Sequence, residues 1–244
     1  MQILPSPYQV KKALMMPYTA YKRRQENVDG FVRSALEVHY YRPTFYEWLG
    51  AVKETPDLLY LADLDSDSIV LDVGACFGEW AEEIAKRYDP TVLSFEPDPV
   101  NFQRLVETAQ HYPRIRALEY GVGAKSETVQ MSLEFLGSTV YNSPRSKKKQ
   151  RFADVRIVDI EEAWQELGLD RVDLMKINIE GAEFPLLEKM LEAGMMDRVD
   201  TFLIQFHEWH PGAYSRRKKI QNALRSTHHC DWDYHFIWEK WSRR

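Results

Sequence analysis

The chain of 244 residues has only two cysteines, Cys76 and Cys230. They are too few and too far apart for a disulfide framework, and they match no zinc-ligand spacing, so a reducing compartment, the cytoplasm, is the simpler expectation. Long apolar runs are missing too. The opening stretch "MQILPSPYQVKKALMMPYTAYKRR" is interrupted by prolines, lysines and tyrosines. It fits neither the apolar region of a signal peptide nor a membrane span. Positive charge is in short supply: the formal net charge is −5. Neutralising a phosphate backbone needs a basic face, so a general nucleic-acid coat is disfavoured and a small-molecule partner expected. The basic runs "KKKQR" (147–151) and "RRKK" (216–219) read as solvated faces, or as a rim that attracts a phosphorylated or nucleotide-linked acceptor. Internal repeats and an inter-domain linker are also absent.

What is present is an alternation of buried strands and amphipathic helices. "SIVLD" (68–72) reads as a short buried strand, followed by Trp80, Ile84 and Tyr88 at helical spacing. "TVLSFEP" (91–97) repeats the pattern: Asp98 is placed to cap, Pro99 to open a helix, and Phe102, Leu105, Val106 and Ala109 to form its apolar face. "IRALEYGVG" (115–123) is a third candidate strand and "ETVQMSLEF" (127–135) an extra one exposed on one face, while 136–151 reads as a long loop. "VDLMKIN" (172–178) and "VDTFLIQFH" (199–207) complete the core strands, with a helix from Pro185 to Gly194 between them. Strand and helix units of this length require parallel crossovers, so the expected class is α/β with a doubly wound, mostly parallel sheet and ligands at the carboxyl ends of its strands. "CDWDYHFIWEKW" reads as antiparallel closing strands. Residues 1–60 read as a mainly helical, aromatic-rich cover that is not an independent domain, on a catalytic domain of residues 61–244.

The first turn, "LDVGACFGEW" (71–80), decides the ligand. A dinucleotide fingerprint needs three glycines, but Asp72 and Phe77 stand at its first and third glycine positions, where an acid repels a pyrophosphate and a phenylalanine pushes the helix away. D-x-G-x-x-x-G suits a ligand without phosphates instead: Gly74 and Gly78 let backbone approach an amino-acid moiety, and Asp72 favours a cation. S-adenosylmethionine carries an ammonium and a sulfonium. Glu96 ends the next strand, where an acid accepts both ribose hydroxyls in such folds. The expected cofactor contacts are Asp72, Gly74, Ala75, Cys76, Phe77 and Gly78 from the first turn, Glu96 and Pro97 from the second, Gly121 and Val122 toward the end of the third candidate strand, and Asn178.

In this order, "VLDVGACFGEW", "SFEPDPVNFQRL", "VRIVDIEEAW", "LMKINIEGAEFPLLEKM" and "LIQFH" resemble the FkbM family of S-adenosylmethionine-dependent methyltransferases, over residues 68 to 210. The resemblance implies a Rossmann-like class I methyltransferase fold and O-methylation of a hydroxyl, often on a sugar or natural-product scaffold. The family commonly has Asn at Cys76, Asp at Asn178 and Glu at Gln205. The last two differences remove negative charge from the substrate side.

Methyl transfer from a sulfonium is an in-line displacement, so the enzyme supplies alignment and a proton acceptor. His207, at the end of the fifth core strand, can accept a proton near neutral pH, and it also fits a core histidine bonded to backbone. Glu180 follows the fourth core strand within reach of the methyl group, while the nearby Glu183 can compensate a helix N-terminus. Asn178 can position a hydroxyl or the cofactor's amino group. The histidine-rich "HEWH" (207–210) and "HHCDWDYH" (228–235) lack a recognised metal spacing, so no metal is expected. The leading expectation is an O-methyltransferase acting on a hydroxyl of a small molecule, a sugar or glycosylated metabolite, with a glycan or nucleotide sugar as the candidate partner. Its rivals are an RNA or protein methyltransferase and a non-catalytic cofactor-binding scaffold.

Overall fold

The computed structural model describes residues 42–133, 151–208 and 210–244. The chain divides into two units, residues 1–58 and 59–244. In the first, the described part contains one helix, α1 (Arg42–Glu54); the rest of the expected N-terminal cover, 1–41, lies outside the described residues. No helix among the described residues is long and apolar enough to cross a membrane.

The second unit is built on β1 (Ile69–Val73), α2 (Glu79–Tyr88), β2 (Thr91–Phe95), α3 (Pro99–Gln110) and β3 (Ile115–Leu118). After β4 (Gly121–Gly123), β5 (Glu127–Leu133), β6 (Arg151–Asp159) and α4 (Ile160–Glu166), the core resumes with β7 (Val172–Ile177), α5 (Glu183–Glu192) and β8 (Val199–Ile204). It closes with α6 (Ala213–Leu224), β9 (His228–Tyr234) and β10 (Trp238–Arg243). Seven strands form one sheet in the order β3-β2-β1-β7-β8-β10-β9. Its first five strands are parallel, and β10 and β9 are antiparallel. The strand order reverses between β1 and β7, so their carboxyl ends diverge around a crevice.

The apolar runs produce this sheet because strand side chains alternate between its two faces. On one face Leu71, Val73, Phe95, Met175, Ile177 and Phe202 pack with Phe184, Leu187 and Met190 of α5 and Ile220 of α6. On the other, Val70, Val92, Leu174 and Leu203 meet Ala81, Ile84 and Ala85 of α2. Burying such a side chain contributes about 1.5–3 kcal/mol, and truncating fully buried Phe95 to alanine would cost about 3–5 kcal/mol. Asp98 caps α3, accepting from the backbone N–H groups of Val100 (2.8 Å) and Asn101 (3.3 Å), with Pro99 in the first turn.

Several elements differ from the sequence reading. The run 115–123 is two strands: β3 stays in the main sheet, and β4 turns away to pair with β6 in a separate sheet ordered β4-β6-β5. The proposed loop 136–151 lies outside the described residues as far as 150, and Arg151 begins β6, a nine-residue strand antiparallel to β5. Helix α5 starts at Glu183 rather than Pro185, because a proline within the first turn lacks only an N–H that has no intrahelical partner. The chain leaves the sheet after Ile204, although Gln205 still donates to the Ile177 carbonyl at 2.9 Å.

Candidate active site

At the end of β1 the chain turns sharply at Gly74, with φ +84°. A Cβ there would sit 2.1 Å from the Asn178 carbonyl oxygen, so the backbones of the β1 and β7 turns touch and only glycine fits. The N–H groups of Gly74 and Ala75 both donate to the Phe95 carbonyl, at 3.1 and 3.0 Å, which ties the turn to β2 as well. Gly78 also has φ +84°, and a Cβ on it would meet Leu105 of α3 at 2.7 Å. Phe77 packs under the Arg104 guanidinium at 4.7 Å. Asp72 was expected to face a ligand cation, but the cation it meets belongs to the protein. Its Oδ1 accepts from Lys176 Nζ at 2.8 Å, both side chains are buried, and Asp72 lies on the α2 face of the sheet behind the turn.

Glu96, just after β2, is buried where the first two turns meet. Its carboxylate accepts from the backbone N–H of Cys76 (2.7 Å) and of Asp98 (2.9 Å). Burial pushes its pKa up to about 7, against the lowering pull of those two donors and of Lys176. Cys76 occupies a left-handed conformation (φ 52°) that asparagine tolerates better than cysteine, which accounts physically for the asparagine common in the resembled family. Burial raises its thiol to about 11, so it stays protonated at neutral pH.

Across the crevice, the β7 turn presents Asn178, Glu180 and Gly181. The buried Oδ1 of Asn178 has no hydrogen-bond partner within the protein. Glu180 has φ 49°, a strained setting for a side chain of its size, and Gly181 follows at φ 100°. Fully buried Glu183 accepts the Gly181 N–H through Oε2 (2.7 Å) and the His207 N–H through Oε1 (2.7 Å), so one carboxylate fixes both turns. The His207 ring lies between acids: Nδ1 is 3.1 Å from Glu183 Oε1, and Nε2 is 3.6 Å from Glu180 Oε2. Carboxylates accept only, so both ring nitrogens serve best as donors. Burial alone would lower the histidine pKa, but the contacts with Glu180 and Glu183 outweigh it and raise the value to about 9. At neutral pH His207 is therefore an imidazolium.

These turns border a cavity of about 520 Å³ lined by Gly74, Cys76, Glu96, Pro97, Gly121, Val122, Asn178 and Glu180, a usual size for a small-molecule site. Of the expected contacts, Asp72, Ala75, Phe77 and Gly78 support the turn from behind, and His207 stands behind Glu180; none of these five lines the cavity. The sequence reading missed Asn101 on α3, Glu79 at the start of α2, and a wall of Val129, Met131 and Ile157 from the smaller sheet. An alternation of apolar residues in 151–159 was the available signal for Ile157. Lys176 and Glu183 were missed as structural partners of the turns. Among the described residues no cluster of three or more His, Cys, Asp or Glu side chains is arranged to hold a metal ion.

S-adenosylmethionine fits these groups. Glu96 offers a carboxylate for a ribose diol, the Asn178 Oδ1 is an unused buried acceptor for an ammonium, and Gly74 borders the cavity. A family model described as "Methyltransferase FkbM domain" matches residues 72–238. "Methyltransferase 1" of Beauveria bassiana is 28% identical, over 59% of this chain and 67% of that protein. The hexuronic acid methyltransferase AglP of Haloferax volcanii is 22% identical, over 61% of this chain and 60% of that protein. The chain therefore spans about two thirds or less of the length of these relatives. Among solved structures, an rRNA methylase from Streptococcus thermophilus aligns with a TM-score of 0.46 and 10% identity, covering 77% of this chain and 92% of that one.

Proposed function

Because the chain belongs to the FkbM methyltransferase family and is accordingly an S-adenosylmethionine-dependent enzyme, we propose that it methylates a hydroxyl oxygen of a small molecule, a sugar or glycosylated metabolite, with residues 61–244 as the catalytic domain. The sugar-directed part of this reading is supported by the hexuronic acid methyltransferase among its relatives. The unpaired state of Cys76 and Cys230 supports a cytoplasmic setting.

When bound, the cofactor supplies a methyl carbon activated by its sulfonium. Glu96 would hold the ribose hydroxyls, Pro97, Gly121 and Val122 would serve the adenine, and Gly74 with Asn178 would hold the amino-acid end. Glu180 takes the proton of the acceptor hydroxyl onto its carboxylate as the oxygen attacks. His207, already protonated, stays a donor: it anchors Glu180 from behind, and buried Glu183 anchors His207 in turn. His207 is thereby a positioning residue and not the proton acceptor, because its ring nitrogens face carboxylates rather than the cavity.

The observation that carries this reading is Glu180 itself: it lines the cavity from a left-handed backbone position and is backed by an imidazolium. Strain of this kind, of order 1–3 kcal/mol, persists where the surroundings enforce it and clusters at functional sites. The test is incubation with methyl-labelled S-adenosylmethionine and a panel of sugars, uronic acids and nucleotide sugars. Label on a hydroxyl oxygen of a sugar is the expected result. Label confined to RNA or protein, or cofactor binding without transfer to any acceptor, overturns it.

A further inference from the structure

Lys176 belongs to none of the groups so far assigned to the cofactor or the acceptor. It lies on β7 directly across from Asp72 of β1 in the parallel register, on the face where Val70, Leu174 and Ala81 pack. Alternation calls for an apolar residue at both positions. Instead an acid and a base are buried there, with 0% and 5% of their surfaces exposed. Replacing such a pair with apolar residues of similar volume is often neutral or stabilising, so sheet stability alone gives no reason for it.

The second contact of Lys176 gives one. Besides Asp72 Oδ1 at 2.8 Å, Nζ donates to the Gly74 carbonyl at 2.7 Å. That carbonyl belongs to the peptide whose other end, the Ala75 N–H, donates to the Phe95 carbonyl. The Gly74–Ala75 peptide plane is thus held from both sides, by β7 and by β2. The next N–H, that of Cys76, reaches Glu96 Oε2 at 2.7 Å. An unbroken path runs from Lys176 through the Gly74 carbonyl and the Cys76 N–H to the Glu96 carboxylate.

We propose that Lys176 is a positioning residue of the cofactor site: by fixing the Gly74 carbonyl it sets the peptide planes of the first turn, and through them the Glu96 carboxylate. Asp72 is its counter-charge, keeping the ammonium group in place behind the turn, while Nζ lies over the ring of Trp80, 5.9 Å from its centroid. This inference rests on the reading of the cavity as the S-adenosylmethionine site.

Two variants separate positioning from simple packing. Lys176→Met removes the bond to Gly74 and leaves Asp72 without its counter-charge. Asp72→Leu/Lys176→Met removes the bond but restores an apolar pair. Binding of S-adenosylhomocysteine is measured by calorimetry, and folding by thermal melts and near-UV circular dichroism. The double variant is expected to melt at or above the wild-type temperature, yet to bind S-adenosylhomocysteine at least about tenfold more weakly, the scale of one hydrogen bond to a charged group. A purely structural pair would give the recovered melt together with recovered affinity. Wild-type affinity in either folded variant overturns the proposal. So does a double variant that fails to fold, which would make the pair a support of the sheet. Failure of the wild-type protein to bind S-adenosylhomocysteine would instead strike the reading of the cavity itself.

Discussion

Glu96→Gln changes one buried carboxylate into an amide of nearly the same shape, and the structure sets both the size and the pH dependence of the loss. In the wild-type protein the carboxylate accepts two backbone N–H bonds and titrates at about 7 because burial disfavours its charge. The ionised form is the one that accepts from a ribose diol. The apparent affinity therefore scales with the ionised fraction, about one half at pH 7, nine tenths at pH 8 and one tenth at pH 6. S-adenosylhomocysteine should bind the wild-type protein about tenfold more weakly at pH 6 than at pH 8, taking up the ligand with release of a proton at the lower pH. The charged and titratable groups facing Glu96 are Asp98, Cys76 and Lys176, and Cys76, at about 11, does not titrate in this window. In Glu96→Gln the pH dependence should vanish and the affinity at pH 8 should fall by about 1.5–3 kcal/mol, roughly ten- to a hundredfold, the value of hydrogen bonds to a charged group. Calorimetry in buffers of different ionisation enthalpy reads both quantities. Equal wild-type affinity at pH 6 and 8, or an unchanged affinity in the variant, would refute the assignment of Glu96.

Glu180→Gln should keep cofactor affinity and lose about 10²- to 10⁴-fold in turnover, the range for removing a general base; near wild-type turnover beside an inactive His207→Gln would return the role of base to the histidine. His207, raised from 6.5 to about 9 in the fold, stabilises the protein fully below pH 6.5 and loses that contribution as pH rises through about 9. Urea melts should show a decline on the order of 3 kcal/mol across that window, absent in His207→Gln. Gly74→Ala should destabilise by about 2 kcal/mol or more, because a left-handed backbone and a contact with the Asn178 carbonyl are both forced on the new methyl group; an unchanged urea midpoint would contradict the packing of the two turns. Activity should survive EDTA, since Asn178 and Gln205 are poor anchors for a divalent ion compared with carboxylates, and restoration of a chelated enzyme by magnesium would contradict this.

Much of the architecture could be read from the chain because buried parallel strands are short apolar runs, and "SIVLD", "TVLSF" and "VDLMKI" stand out between helical periodicities. The turns at their ends carried Gly74, Glu96, Asn178 and Glu180 in plain view. What stayed hidden depends on contacts between distant residues. Lys176 looks like one polar interruption in a buried strand until Asp72, 104 residues away, is set beside it. His207 reads as a neutral base until Glu180 and Glu183 converge on its ring. The break between β3 and β4 falls at Glu119 and Tyr120, which give no turn signal of their own, and β6 directly follows a basic run that reads as loop.

The most direct measurement is a crystal structure with S-adenosylhomocysteine bound. The ribose hydroxyls are expected on the Glu96 carboxylate, the amino group on Asn178 Oδ1 beside Gly74, and the sulfur turned toward Glu180. A ligand seated elsewhere in the chain, or lying in the cavity with its ribose away from Glu96, would contradict this.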